Sequence, residues 1–315
     1  MKTKRKLDEY RSGVVFKVYD QFYHVLPERP FTAKKGGEMR DSASTFFDPK
    51  EIAYEIKAVL DDLSDIVFPF GDSGKSITAE EKGKNDFVTV KDKLVDGILS
   101  EFLAKRFNVL VVSEERQHIW PPAEKRYWVI DPVDGTHNLA AGWPIFGIMG
   151  AYVIEDVPNF GFIYFPYAYG GRREMYFAGI DHGAWVLDND GREQILVAHA
   201  AKLEDSFVLF EGPSHLMQRK MHNIGPHVGG YRVNLSCAVS FISLARDRGR
   251  ARRTAGVVSL NNKPWDNLPA IPIVTEAGGV ISDIQGGPVT VSNATDVVAA
   301  NNGKNHETLL NLVRV

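Results

Sequence analysis

Residues 128–138 read Trp128-Val-Ile-Asp131-Pro-Val-Asp134-Gly-Thr136-His-Asn138, an apolar run of strand character that stops at two carboxylates. Asp131 and Asp134 offer hard oxygen ligands of the kind Mg²⁺ requires, and the Pro-Val between them fixes a turn that aims both at one point. Gly135 removes the side chain that would hold a bulky anion away from the backbone. Thr136 adds a hydroxyl, and a helix beginning there would turn free N–H groups and a positive dipole end toward that anion. The plainer alternative is a strand-to-turn transition in which both Asp residues only satisfy local N–H groups.

Two further acidic signals favour a metal site. Upstream, Phe107-Asn-Val-Leu-Val-Val-Ser113-Glu114-Glu115 is a second apolar run ending in adjacent carboxylates. Downstream, Lys263-Pro-Trp265-Asp266 opens a segment, 267–277, with helical spacing of Leu268, Ile271, Val274 and Thr275 before Gly278-Gly279. Asp266 is thereby expected at or just before a helix N-terminus, where an Asp is most often a cap.

These motifs, with Lys84-Asn-Asp86-Phe-Val-Thr89-Val-Lys-Asp92 and Thr275-Glu-Ala-Gly-Gly279, stand in one order and register that resembles the inositol monophosphatase family of Mg²⁺-dependent, lithium-sensitive phosphatases. The resemblance spans about Glu51 to the C-terminus. It implies a layered α-β-α-β-α sugar-phosphatase-type fold of α/β class, with the metal site between an N-terminal α+β half and a C-terminal α/β half. By position, Glu114, Asp131 and the Val133 carbonyl match ligands of a first ion, and Asp131, Asp134 and Asp266 those of a second. A third, weaker ion lies near Glu114. Asp92 and Thr136 match the pair that orients and deprotonates the attacking water, with Glu115 behind them. The N–H groups of Gly135 and Thr136 match a phosphate cradle. Substrate contacts are implied at Asp134, Gly135, Thr136, Ser236, Cys237 and Ser259. Two or three Mg²⁺ ions are expected, with Mn²⁺ as a substitute, and a homodimer.

The chemistry is coherent with that expectation. Several acids in one cleft repel and raise one another's pKa values unless divalent cations supply the local charge. Metal-activated water needs no covalent intermediate. The chain contains no Cys-x₅-Arg and no Gly-x-Ser-x-Gly, and Gly71-Asp-Ser-Gly-Lys-Ser76 lacks the first Gly of a phosphate loop.

Departures from the family pattern bear on the substrate. Arg232-Val-Asn-Leu235-Ser236-Cys237-Ala238 has Leu235 where the family has Gly, and Ser259 stands where inositol phosphatases place an acid that grips ring hydroxyls. A neutral Ser is the weaker acceptor. Arg246, Arg248, Arg250, Arg252 and Arg253 crowd one short segment. They suggest a second anionic group on the substrate, against the plainer reading of a solvated loop.

Three functions are therefore open. The first is hydrolysis of a small inositol, sugar or polyol phosphate. The second is a phosphatase for a bis-anionic substrate such as a fructose bisphosphate or a 3′-phosphonucleotide. The third is a non-catalytic binding protein on the same fold. A chain of 315 residues with 44% hydrophobic residues buries a large core. Its net charge of −3 argues against nucleic acid, and its single cysteine excludes an internal disulfide and suits the cytoplasm. No apolar run reaches membrane-spanning length. Residues 1–48 read as an N-terminal extension with one strand candidate, Gly13 to Tyr23, 49–195 as the half carrying most metal ligands, and 196–315 as the half supplying Asp266 and substrate contacts. Ile52, Ile56, Val59, Leu60 and Leu63 stand at helical spacing, and a second helix is expected through Leu94, Ile98, Leu99 and Phe102.

Overall fold

The structure is a computed structural model and describes residues 48–68, 79–83, 86–116, 119–168, 171–247, 249 and 253–315. The N-terminal strand candidate, Gly71 to Ser76, Lys84 and Arg248, Arg250 and Arg252 lie outside them.

The first described helix, α1 (Pro49–Val67), starts where the Asp48 carboxylate accepts the Lys50 N–H at 2.9 Å and Pro49 takes the first turn. Its expected stripe, Ile52, Ile56, Val59, Leu60 and Leu63, is buried throughout. A short hairpin, β1 (Ala79–Gly83) and β2 (Asp86–Thr89), leads into α2 (Val90–Phe107). There the buried stripe is rotated by one residue from expectation. Val95, Leu99, Phe102 and Leu103 face the core, whereas Leu94 and Ile98 are only half-buried.

Both helices cover one face of a seven-stranded sheet running in chain order: β3 (Leu110–Ser113), β4 (Arg126–Asp134), β5 (Gly147–Ile154), β6 (Val157–Phe165), β7 (Glu174–Gly179), β8 (Ala184–Asp188) and β9 (Gly191–Gln194). Only the β3–β4 pair is parallel. With packing on both faces, β4 is buried from Tyr127 onward, which explains its unbroken apolar run.

A second, five-stranded sheet has the order β11-β10-β12-β14-β13, built from β10 (Phe207–Glu211), β11 (Gly230–Arg232), β12 (Thr254–Ser259), β13 (Val280–Asp283) and β14 (Val297–Ala300). Its outer face carries α4 (Ser214–Ile224) and α8 (Gly303–Arg314), packed around Phe210, Val258, Val298 and Leu309. The short α3 (Thr136–Ala140) follows β4. Between the sheets lie α5 (Cys237–Ala245), α6 (Pro264–Asn267) and α7 (Ala270–Glu276), whose buried residues join both sheets in one core with Val129, Met149, Ile163, Phe241, Ile273 and Val257. The layers run α-β-α-β-α, as the resemblance implied.

The helix expected over 267–277 is broken. Pro269 lacks an N–H and its ring clashes with a carbonyl one turn back, so the segment forms α6 and α7 separately. The middle layer fits against β6 only because Gly161 has no side chain: a Cβ there would lie 2.1 Å from the Pro269 carbonyl oxygen. Gly161→Ala should force α6 and α7 away from the sheet and lower unfolding stability by about 1–3 kcal/mol, the usual cost of overpacking. Chemical denaturation checks this, and an unchanged midpoint would refute it.

Candidate active site

The site begins with a defect in β4. Successive strand residues face opposite sides, so Asp131 and Asp134 on a regular strand would diverge. Pro132 cannot donate to the ladder, and the register shifts by one between the Asp131–Met149 and Asp134–Gly147 pairs. This bulge adds the one residue needed to bring both carboxylates to the same side.

Asp134 then reaches across to the other half. Its carboxylate accepts the Ser236 hydroxyl and the N–H groups of Cys237 at 3.0 Å and Ala238 at 2.8 Å, at the positive end of α5. Asp131 accepts the Val133 N–H at 2.9 Å. Asp266 lies in the first turn of α6, where it accepts the Lys263 N–H at 2.8 Å, so it is a cap and also faces the site. Oxygens of Asp131, Asp134 and Asp266 lie within 4.8 Å of one another. Glu114, at the end of β3, adds its negative charge to Asp131 and Asp266. Glu115 is half-buried, its N–H 3.3 Å from the Ser113 hydroxyl, and it does not enter the triad.

Asp92 sits in the first turn of α2. One carboxylate oxygen accepts the N–H and hydroxyl of Thr89, and the other accepts the Thr136 hydroxyl at 2.8 Å. That hydroxyl also lies 2.9 Å from the Val133 carbonyl oxygen, so its one proton has two acceptors. Gly135, at φ +97°, begins α3; a Cβ on it would lie 2.9 Å from the Ile145 carbonyl oxygen.

Burial raises the whole cluster. It pushes Asp131 and Asp266 well above the carboxylate range, reinforced for Asp131 by Glu114, Asp134 and Asp266, and for Asp266 by Glu114 and Asp134. Asp134 is pushed up to about 6 by burial, against the pull of its Ser236, Ala238 and Cys237 donors. Burial also raises Asp92, opposed by the Thr89 and Thr136 hydrogen bonds. Crowded hard oxygens with raised proton affinity are the donor set a divalent cation would neutralise.

Three residues expected at the substrate have partners within the protein. The donors of Ser236 and Cys237 are already turned onto Asp134. The Cys237 thiol is buried and held far above its usual pKa by that burial and by nearby acids, Asp134 first. Ser259 is fully buried, donating to Asn267 Oδ1 and accepting from Asn262 Nδ2, both at 2.7 Å. Of the arginines, Arg246 is engaged by Glu174, Tyr176 and Glu193, and Arg253 by Asp247, along a cavity of about 380 Å³ beside α5. These partners tie the Arg246 guanidinium to the protein's own acids, which disfavours anion capture by it.

Two residues without an expected role are central. Asn138 donates its two amide hydrogens to the carbonyls of Ile145 at 2.7 Å and Asn234 at 2.8 Å, with the Leu235 carbonyl 3.3 Å from the same nitrogen. Glu211 is buried at the end of β10, accepting the N–H groups of Asn234 and Ser236 and the Ser240 hydroxyl, and burial pushes it up to about 7. A lone Glu ending an apolar run was the only sequence signal for it.

The pattern described as the inositol monophosphatase family matches residues 50–315. An inositol-1-monophosphatase of Synechocystis is 30% identical over 245 residues, covering 75% of this chain and 80% of its own. A fructose-1,6-bisphosphatase/inositol-1-monophosphatase of Aquifex aeolicus is 30% identical over 234 residues, 72% of this chain and 82% of its own. The solved structure of an IMPase/NADP phosphatase complexed with Mg²⁺ and phosphate shares the fold, with TM-score 0.70 and 21% identity over 84% of this chain and 95% of that one.

Because Asp134 titrates higher folded than the unfolded value of about 4, its contribution to stability is intact below about pH 4 and is lost as pH rises through about 6. Metal-free protein should therefore lose thermal stability between about pH 5 and 7.5, and Mg²⁺ should raise Tm more at the higher pH, where protons no longer compete. Scanning calorimetry measures both; equal Mg²⁺ shifts at the two pH values would contradict the assignment.

Proposed function

This chain belongs to the inositol monophosphatase family, and from that membership we propose how its residues divide the work of a phosphatase. The reaction is Mg²⁺-dependent hydrolysis of a small phosphate monoester, and the protein is a phosphoric monoester hydrolase. The observation carrying the assignment of residues is the convergence of Asp131, Asp134 and Asp266 within 4.8 Å.

Glu114, Asp131, Asp134, Asp266 and the Val133 carbonyl would hold the metal. When bound, divalent cations neutralise the carboxylates, acidify water and stabilise charge on the phosphoryl and leaving oxygens. Thr136 orients the attacking water by accepting its proton at Oγ while donating its own to Asp92 Oδ1, which burial makes a better proton acceptor than an exposed carboxylate. The N–H groups at Gly135 and Thr136, at the start of α3, receive phosphate oxygens. Glu115, next in sequence to the proposed ligand Glu114, would act from outside the metal triad.

Two or three Mg²⁺ ions, substitution by Mn²⁺, sensitivity to lithium and a homodimer follow from the family. A cytoplasmic setting is supported by a chain with one cysteine and no disulfide to form. The preferred substrate is an inositol, sugar or polyol monophosphate. A bis-anionic substrate is the second reading, favoured by the double name of the Aquifex relative.

Phosphate release from a panel of inositol, sugar, sugar bisphosphate and 3′-phosphonucleotide substrates, with Mg²⁺, with chelator and with Li⁺, tests the reading. Turnover that survives chelation would overturn it. Asp134→Asn should cost about 100-fold or more in kcat, comparable to removing one transition-state-stabilising group, while circular dichroism stays native. Asp92→Asn should lower kcat by about 10²–10⁴-fold and leave Mg²⁺ binding by calorimetry unchanged. Loss of both in Asp92→Asn would remove it from the water-activating role.

A further inference from the structure

We propose that Glu211 is a positioning residue of the active site, acting through the turn Asn234-Leu235-Ser236 rather than on the substrate. The inference rests on the reading of Asp134 as a metal ligand.

Leu235 stands at φ +55°, in the left-handed region that bulky side chains avoid. Among the described residues, the other non-glycine positions with positive φ are Asn108, Glu155, Asp156, Asp181 and Asn261, all with polar side chains. The Leu235 side chain is half-exposed, so its own packing does not hold this conformation. Hydrogen bonds to the surrounding backbone do. Glu211 accepts the N–H groups on either side of Leu235, those of Asn234 and Ser236, each at 3.2 Å. Asn138 donates to the Asn234 carbonyl at 2.8 Å, with the Leu235 carbonyl 3.3 Å from the same nitrogen. The turn is clamped by an acceptor, Glu211, and a donor, Asn138.

The clamped turn delivers the site's geometry. Ser236 immediately follows Leu235, and its hydroxyl with the next two N–H groups grips Asp134. If Leu235 relaxed to an extended conformation, the chain direction at Ser236 would change and these three donors would leave the carboxylate together.

The choice of Glu over Gln has the same cause. Glu211 is 3% exposed, and no Lys or Arg pairs with it among the described residues. Its third partner, the Ser240 hydroxyl at 2.5 Å, is also a donor. A site offering only donors requires a side chain that only accepts, and a carboxylate has lone pairs for all three. A glutamine amide would point N–H at N–H.

The test compares wild type, Glu211→Gln and Glu211→Gln/Leu235→Gly, reading Mg²⁺ affinity by calorimetry on the full chain, with kcat and KM on the best panel substrate and circular dichroism as control. Glu211→Gln should weaken Mg²⁺ binding by about 10- to 100-fold, as loss of an outer partner of a metal ligand does, and lower kcat more than it raises KM. Glycine accepts positive φ without penalty, so the added Leu235→Gly should restore part of both losses. A residue with only a structural role would show no such rescue. Native Mg²⁺ affinity in Glu211→Gln overturns the proposal, as does failure of both variants to fold or a double variant no better than the single. Wild type that neither binds Mg²⁺ nor releases phosphate would instead overturn the functional reading on which the proposal rests.

Discussion

The carboxylates of Asp131, Asp134 and Asp266 approach within 4.8 Å from elements attached to two different sheets, so their mutual repulsion falls on the seam that joins the two halves. What resists it is backbone. Asp134 is held by the first N–H groups of α5, Asp266 by the Lys263 N–H and Asp131 by the Val133 N–H. Such donors stabilise negative charge without neutralising it, and they cannot swing away as a lysine or arginine would. The carboxylates are thereby fixed in place with a raised proton affinity, and a cation would take the place of those protons. The middle helical layer follows from this: α5 and α6 must stand between the sheets because their N-termini supply the donors that keep the acids in register.

Much of this was legible in the chain. Apolar runs ending at Ser113 and Asp131 are strands whose ends carry acids, and the helix of Ile52 and Leu63 buries the residues its spacing assigned. The pairing of Asp92 with Thr136 was also expected, because both positions matched a family pattern. The bulge was not, although Pro132 was its visible cause: the sequence shows a residue unable to donate, but only the pairing with β5 shows which way the extra residue turns the strand. The break at Pro269 was equally visible and was outweighed by apolar spacing that α6 and α7 keep across it.

Tertiary partners are where sequence reading stopped. Ser259 looked available for substrate because the residue seven positions before Asp266 is exposed to ligand in the resembling family. Here Asn262 and Asn267 close over its hydroxyl. Arg246 looked like a free cation because its neighbours in sequence are arginines, yet its guanidinium meets Glu174 and Tyr176, which arrive from β7. Glu211 carried no pattern at all. Its meaning lies in two N–H groups more than twenty residues away.

Asp92 shows how local folding and proposed chemistry share one side chain. Thr89-Val-Lys-Asp92 forms a capping box: the Thr89 hydroxyl lies over the first turn of α2, and one oxygen of Asp92 returns to the Thr89 N–H. That bond fixes the carboxylate's rotation and leaves its second oxygen facing Thr136. A cap in water would hold an ionised carboxylate with little appetite for protons. This one is buried beneath α3 and β4, and burial raises its affinity for a proton while the cap keeps it from turning away. The helix start thus sets the orientation of the proposed proton acceptor, and the layer that buries it sets its strength.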